Sequence, residues 1–317
     1  MSSNLTLSAM LIKPSTTLGF IAGRSPSLDL REAFLRRAYT PDMKESAAAA
    51  LALPDEVRDL SANRVLRSLS KEAQAELWPH FERVAMDQGH VYNSANARIE
   101  HLYFVERGLV SLVKVMKDGR TIEIGAVGIE GVADPCGIFD AERAILESVV
   151  QIPGTALRIE RNVLARKIAH NGAILHALRR YTAVALNQFM QTAACNCLHS
   201  IDQRACRWLL IAHDSALADT FPLTQEFLAM MLGVQRASVS IAAQTLHRAG
   251  LIEYTRGRVT IVDRAGLERA ACECYGTLRE QLNDLYLSHQ DRHPVDIARA
   301  RTGRNVGYRA DEPSSTG

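Results

Sequence analysis

The sequence predicts an α+β fold, in which a domain of short antiparallel strands is followed by a long helix and a compact helical head carrying a two-stranded wing. Three observations predict it. Between Val84 and Ile159, short apolar alternations are separated by glycine-containing turn signals, the pattern of a sandwich or barrel. From about Ala169 to His199, Ile174, Leu178, Tyr181, Ala185 and Phe189 form a near-heptad stripe, which Leu175 and Leu186 widen. Leu223 to Val262 then reads as helix, tight turn, helix and hairpin.

The strand domain is entered through short helices between Pro54 and Val84, marked by Val65, Leu66, Leu69, Leu77 and Phe81, with Ser70 as a cap. His101 to Glu106 alternates around Leu102 and Phe104, Arg107-Gly108 is expected to turn, and Leu109, Val110, Leu112, Val113 and Val115 form the next strand. Asp118-Gly119 supplies the positive φ angles of a two-residue hairpin, and Ile122, Ile124 and Ala126 return. After a glycine-punctuated loop, a further pair is expected, Ser148–Ile152 and Ala156–Ile159, turning at Pro153-Gly154.

In the head, Ile201 to Ala212 is the first helix, with Ala205, Trp208, Leu209 and Ala212 inward and Ser200 as its cap. His199 to Asp202 is the expected hinge. Thr224 caps the next helix, whose buried stripe is Phe227, Leu228, Met231 and Leu232; Gly233 ends it in the left-handed conformation a sharp turn needs. A second helix from about Arg236 to His247 turns Val239, Ala242, Ala243 and Leu246 inward, leaving Gln235, Arg236, Ser238, Ser240, Ile241 and Gln244 nearer the outside. Arginine can bridge guanine O6 and N7 and glutamine adenine N6 and N7, so this face has the chemistry of base readout. Ile252 and Tyr254 lead up a hairpin, Arg256-Gly257-Arg258 forms its tip, and Val259 and Ile261 return; two arginines at a glycine tip suit phosphate. Leu267 to Leu287 reads as one final helix.

The run LTQEFLAMMLGVQRASVSIAAQTLHRAGLIEYTRGRVTIVDRAGLE resembles the winged helix-turn-helix of Crp/Fnr-type transcription regulators, and the similarity reaches upstream to roughly Leu66. The strand domain resembles their cyclic-nucleotide-binding-like β-roll, of double-stranded β-helix or jelly-roll type. The resemblance implies the β-roll over 56–165, a dimerisation helix over 166–200 and the DNA-binding head over 201–266. By composition 1–55 reads as a poorly ordered extension, and 267–317 as a C-terminal helix with a charged, Gly- and Pro-punctuated tail expected to be disordered. Met43 opens a segment resembling the usual start of such regulators.

The implied function is a sequence-specific transcription regulator, homodimeric on an inverted-repeat operator, with an effector or redox signal acting at the roll. Implied partners are double-stranded DNA, RNA polymerase, and a second copy of the chain through Ile174, Leu178, Tyr181, Ala185 and Phe189, with no membrane. The broad stripe can also face its own strand domain, or pack only within its own chain, and periodicity alone does not decide. Arg236 matches the position where such regulators place a guanine-reading arginine, with Gln235, Ser238, Ser240 and Gln244 beside it. Ala237 and Ile241 stand where the best-known members have a glutamate and a second arginine, so the half-site should differ. Thr224, Gln225, Arg256 and Arg258 are the expected phosphate contacts.

An effector pocket is implied between the strands and the following helix, near Arg143 and Cys136. The cassette of cAMP-binding members departs here: the loop reads Asp134-Pro135-Cys136-Gly137-Ile138-Phe139, then Glu142-Arg143-Ala144, without the ribose-binding glutamate or the phosphate-binding hydroxyl. No cofactor is assigned, and cAMP is argued against.

Composition bounds these readings. The 317 residues are 47% hydrophobic, enough for more than one core, and a net charge of +2 requires any nucleic-acid footprint to be local. Five arginines lie between Arg236 and Arg264, against Glu253 and Asp263. No apolar run is long enough to span a membrane and no signal peptide precedes the first domain, so the chain reads as cytoplasmic. No phosphate loop, Gly-x-Ser-x-Gly elbow or His-Glu-x-x-His motif points to an enzyme.

The six cysteines read as reduced thiols. Cys195-x-Cys197 and Cys272-x-Cys274 offer four thiolates, but structural zinc sites prefer wider spacing, and residues i and i+2 of a helix point apart. No metal site is therefore assigned. A second function class stays open: a ligand-sensing module that signals through protein partners without DNA.

Overall fold

The computed structural model describes residues 61–139 and 141–287. The expected N-terminal extension over 1–55, the start at Met43 and the tail from His289 lie outside the described residues. Two short helices, α1 (Arg64–Arg67) and α2 (Lys71–Leu77), open the described chain; the Asn63 side chain accepts from the Val65 and Leu66 N–H groups, and Ser70 caps α2 through Ala73.

Six strands follow: β1 (Glu82–Met86), β2 (Val91–Asn93), β3 (His101–Val115), β4 (Thr121–Val127), β5 (Val132–Ala133) and β6 (Glu147–Glu160). They form one antiparallel sheet in the order β1-β6-β3-β4, with β2 added on β6 and β5 on β3. Neither expected turn within the two long strands exists. Arg107-Gly108 and Pro153-Gly154 lie inside β3 and β6, which pair along nearly their whole lengths with register shifts around Arg107 and Leu109. The glycines permit the backbones to touch. A Cβ on Gly154 would sit 2.0 Å from the Arg107 carbonyl oxygen, and one on Gly108, at φ +92°, 2.4 Å from that of Ile152.

Both faces of β3 are buried. Leu102 and Phe104 join a cluster under the helices, and Tyr103 and Val105 join a second cluster inside the roll. Glu106, also buried, is held by a two-point pair with Arg83 (2.7 and 3.0 Å) and by the Ser61 hydroxyl.

The expected long helix is present as α4 (Gly172–Leu198), and a separate helix the spacing did not predict, α3 (Arg161–His170), precedes it. Asn171 leaves the helical region at φ −129° and ψ 102°, and its side chain accepts from the Ala173 and Ile174 N–H groups, so it ends one helix and caps the next.

The stripe expected to meet a partner is buried in its own chain. Ile174, Leu178, Tyr181 and Ala185 pack with Phe104, Val132 and Leu157, Phe189 packs partly buried beside them and against Gly125, and the Tyr181 hydroxyl donates to the Val132 carbonyl (2.9 Å). Each of the larger apolar side chains contributes about 1.5–3 kcal/mol by this burial, which commits the stripe to the roll.

The head contains α5 (Ile201–Ala216), β7 (Thr220–Pro222), α6 (Gln225–Leu232), α7 (Arg236–Arg248), β8 (Ile252–Thr255) and β9 (Arg258–Ile261). The wing has a third strand: β7 pairs with β9 in the order β7-β9-β8. The expected single C-terminal helix is broken into α8 (Arg264–Ala270) and α9 (Cys274–Leu287), with Ala271 extended at ψ 159°. α9 returns along α4, where Arg180 donates to the Leu285 carbonyl (2.6 Å), Asn187 to Gln281, and Tyr286 to the Glu130 carbonyl. Among the described residues, no helix is long and apolar enough to cross a membrane.

Candidate nucleic-acid interface

The surface that could meet DNA is assembled from α6, α7 and the wing. Thr224 caps α6 by accepting from the Phe227 N–H (3.2 Å), which leaves its own hydroxyl proton for another acceptor. Gly233 turns the chain at φ +63°. The α7 residues Val239, Ala242, Ala243 and Leu246 are buried as their spacing predicts, and this sets the opposite face outward.

On that outer face Gln235, Arg236, Ala237, Ile241 and Gln244 are exposed, while Ser238 and Ser240 are half-buried. Ile241, a large aliphatic side chain, is 66% exposed, an arrangement without a stability rationale inside this chain. Two of the expected readers are already tethered. Arg236 holds Glu226 through Nε (3.0 Å), and the Ser240 hydroxyl donates to Gln225 Oε1 (2.6 Å). The tethers orient these side chains from the neighbouring helix. They also leave the Gln225 amide nitrogen to donate elsewhere.

The wing tip is a two-residue loop, Arg256-Gly257, with both φ angles positive (+48° and +74°), so Arg258 is the first residue of β9 rather than part of the tip. The Leu223 N–H donates to the Gly257 carbonyl (2.8 Å) and the Tyr254 hydroxyl to the Leu223 carbonyl (2.5 Å). These bonds fix the wing against the start of α6, bringing Thr224 and Gln225 to the same end of the head as Arg256 and Arg258.

The arginine surplus is smaller than the sequence implies. Arg264 turns inward to Asp214 (2.7 Å), Glu268 (3.1 Å) and the Tyr275 hydroxyl (2.6 Å), and so belongs to the scaffold. Arg236, Arg248, Arg256 and Arg258 remain on the surface.

The head is seated on the roll. A Cβ on Gly233 would lie 2.6 Å from Ile122 of β4, and Trp208 of α5 donates to the buried Glu123 carboxylate (3.3 Å), which also accepts from Ser111. Burial pushes the Glu123 carboxyl above the usual range, and the two donors pull it back.

The residues expected at an effector pocket are placed differently from one another. Arg143 is exposed in an isolated bridge with Arg98, and its NH1 donates to the Asn96 carbonyl (2.9 Å). Cys136 is half-buried in a 3₁₀ turn, and burial together with Asp134 pushes its thiol up, away from the activated range. The space between the sheet and α4 is occupied by Tyr181, whose ring would meet a Cβ on Gly131 at 2.5 Å.

A constellation at the far end of α4 is not legible in the cysteine spacing. Cys195, His199, Cys272 and Cys274 converge, whereas Cys197 is exposed on another side of the helix. The available signal was Cys195 and His199 at i and i+4, which share a helix face.

Comparison with known proteins agrees with the geometry. Residues 203–270 match the model of the Crp-like helix-turn-helix domain. The transcriptional regulator LdrP of Thermus thermophilus is 30% identical over 182 residues, spanning 54% of this chain and 87% of that protein. The CRP-like cAMP-activated global transcriptional regulator of Mycobacterium tuberculosis is 24% identical over 214 residues, spanning 65% of this chain and 96% of that one. The solved structure of FixK2 from Bradyrhizobium japonicum superposes with a TM-score of 0.52 at 18% identity, covering 61% of this chain and 98% of that chain. With a β-roll, a long helix and a winged head in this order, and with relatives matched over most of their length, the chain belongs to the Crp/Fnr family of transcription regulators.

Proposed function

We propose that the regulator binds as a homodimer to an inverted-repeat operator, with one α7 helix of each copy in successive major grooves about 34 Å apart. The observation that carries this reading is that α7 presents an exposed polar face on the same head, and at the same end, as the arginine-tipped wing. Arg236 reads a guanine, Gln235, Ser238, Ser240 and Gln244 set the rest of the half-site, and the exposed Ile241 meets a thymine methyl group. Thr224, Gln225, Arg256 and Arg258 hold phosphates.

Dimerisation is reassigned to the other side of α4. Arg179, Ala183, Leu186, Met190, Ala193 and Cys197 are exposed and follow one another at alternating spacings of four and three, a heptad seam next to the face committed to the roll. Leu186 and Met190 are 56% and 57% exposed. Leu186→Glu is expected to raise the dimer dissociation constant at least about 100-fold, since two leucines each lose about 1.5–3 kcal/mol of burial. Sedimentation at micromolar protein would show it, and an unchanged dimer would move the interface elsewhere.

The protein acts in the cytoplasm, meets RNA polymerase at promoters, and has no catalytic step of its own. Effector or redox control enters at the roll and reaches the head through Glu123–Trp208 and the Ile122–Gly233 contact. The departures in the 134–144 loop argue that the effector is not cAMP.

Selection of bound sequences from a random duplex library, with purified full-length protein and no added ligand, tests the function. One enriched inverted repeat is the expected result. If nothing is enriched with or without cyclic nucleotides and reductant, the DNA reading gives way to signalling through protein partners.

A further inference from the structure

The cluster at the end of α4 has the geometry of a metal centre. Its four ligand atoms, the sulfurs of Cys195, Cys272 and Cys274 and a ring nitrogen of His199, all lie within 4.8 Å of one another. Cys195 Sγ and Cys272 Sγ are 3.6 Å apart, and Cys274 Sγ is 3.5 Å from His199 Nδ1. A tetrahedral zinc ion with Zn–S of about 2.3 Å and Zn–N of about 2.0–2.1 Å requires edges of about 3.8 Å between sulfurs and about 3.5 Å between sulfur and nitrogen. These two spacings fall at those edges, and with all four atoms within 4.8 Å of one another there is room for one ion but not for a multi-iron framework. We propose that Cys195, His199, Cys272 and Cys274 bind a single soft divalent cation, zinc, in a closed tetrahedral site.

The surroundings are those such a site needs. With Nδ1 facing the thiols, His199 Nε2 lies 3.2 Å from Glu273 Oε1, the carboxylate partner that fixes the tautomer and orientation of a metal-ligating imidazole. Gln191 Nε2 donates to Cys274 Sγ (3.0 Å), a bond that favours a thiolate. The three cysteines are buried together as a small cluster of their own, and the α5 guanidiniums of Arg204 and Arg207 are buried within electrostatic reach of Cys195. Three thiolates and a dication leave a net charge of −1 on the site, which those arginines offset.

The location explains the break between α8 and α9. Cys272 and Cys274, two residues apart, cannot share one face of a helix; in the interrupted backbone at 271–273 they do converge. The ion would therefore join three elements: the last turn of α4, the α8–α9 junction, and, through His199 beside the cap Ser200, the start of the head. A filled site locks the hinge and the C-terminal helix together.

The test uses the full-length chain, freed of metal by a chelator under reductant and titrated with Co²⁺. One Co²⁺ per chain is expected, with the ligand-field bands of a tetrahedral ion and a thiolate-to-cobalt charge-transfer band, all bleached by Zn²⁺. Cys195→Ser, Cys272→Ser and Cys274→Ser should each remove about a third of the charge-transfer intensity, because three of four ligands are thiolates. Glu273→Gln should weaken binding about tenfold or more, while Cys197→Ser and Cys206→Ser keep the full spectrum. The proposal is overturned by a reduced wild-type chain that gives no tetrahedral cobalt spectrum, or by an intensity loss in Cys197→Ser equal to that in Cys195→Ser. Because the wild-type spectrum decides first, a variant that fails to fold does not blur the result.

Discussion

Replacing Gly154 by alanine should unfold the β-roll, lowering stability by about 3 kcal/mol or more, which denaturant unfolding followed by circular dichroism would measure. The added methyl would sit 2.0 Å from the Arg107 carbonyl oxygen and 2.4 Å from its carbon, and both belong to backbone, so no rotamer change can relieve the contact. The strands would have to part at the point where β6 pairs with β3 and β1 together. Gly276 is the matched control. A Cβ there meets nothing within 4 Å, and because the residue is in α9, Gly276→Ala should be neutral or stabilise by up to about 1 kcal/mol. If Gly154→Ala unfolded at the wild-type midpoint, the close approach of the two strands would not be what holds the roll in its bent form.

Arg236→Ala should weaken operator binding by about 1–3 kcal/mol, roughly 5- to 150-fold, and relax preference at one base pair of each half-site. The side chain is 64% exposed and anchored through Nε to Glu226, so its fork is held in place before DNA arrives. Lysine should not restore the preference, because an ammonium cannot make the two parallel bonds that a guanidinium makes to guanine. Anisotropy titrations at one fixed salt concentration, on the operator and on single-base variants, would measure both effects. Equal loss on every sequence would make Arg236 a backbone contact.

Local rules made much of the molecule legible. Ser70, Ser200 and Thr224 cap the helices they precede, because a hydroxyl before an apolar periodic run satisfies N–H groups that need a partner in any context. The inward residues of α7 and the left-handed Gly233 likewise follow from spacing and steric freedom. Glycine is less legible where it stands inside a strand. Gly108 and Gly154 carry the same local signal as a hairpin turn, and only the pairing of β3 with β6 shows that they admit a neighbouring backbone.

The succession of strand domain, long helix and winged head and the face α7 turns outward were legible in the sequence, since capping, periodicity and turn chemistry act over a few residues, and the family was legible through the resemblance of the run from Leu223 to Glu268. Tertiary structure decided which face of α4 is buried and which is exposed. The stripe of Ile174, Leu178, Tyr181 and Ala185 suits a roll or a second helix equally, and the choice is made by the cavity it fills. It also decided the meeting of Cys195 and His199 with Cys272 and Cys274, more than seventy residues further on. The physical reason is the same in both cases: burial and coordination depend on what the folded chain brings within a few ångströms, which residue order does not encode.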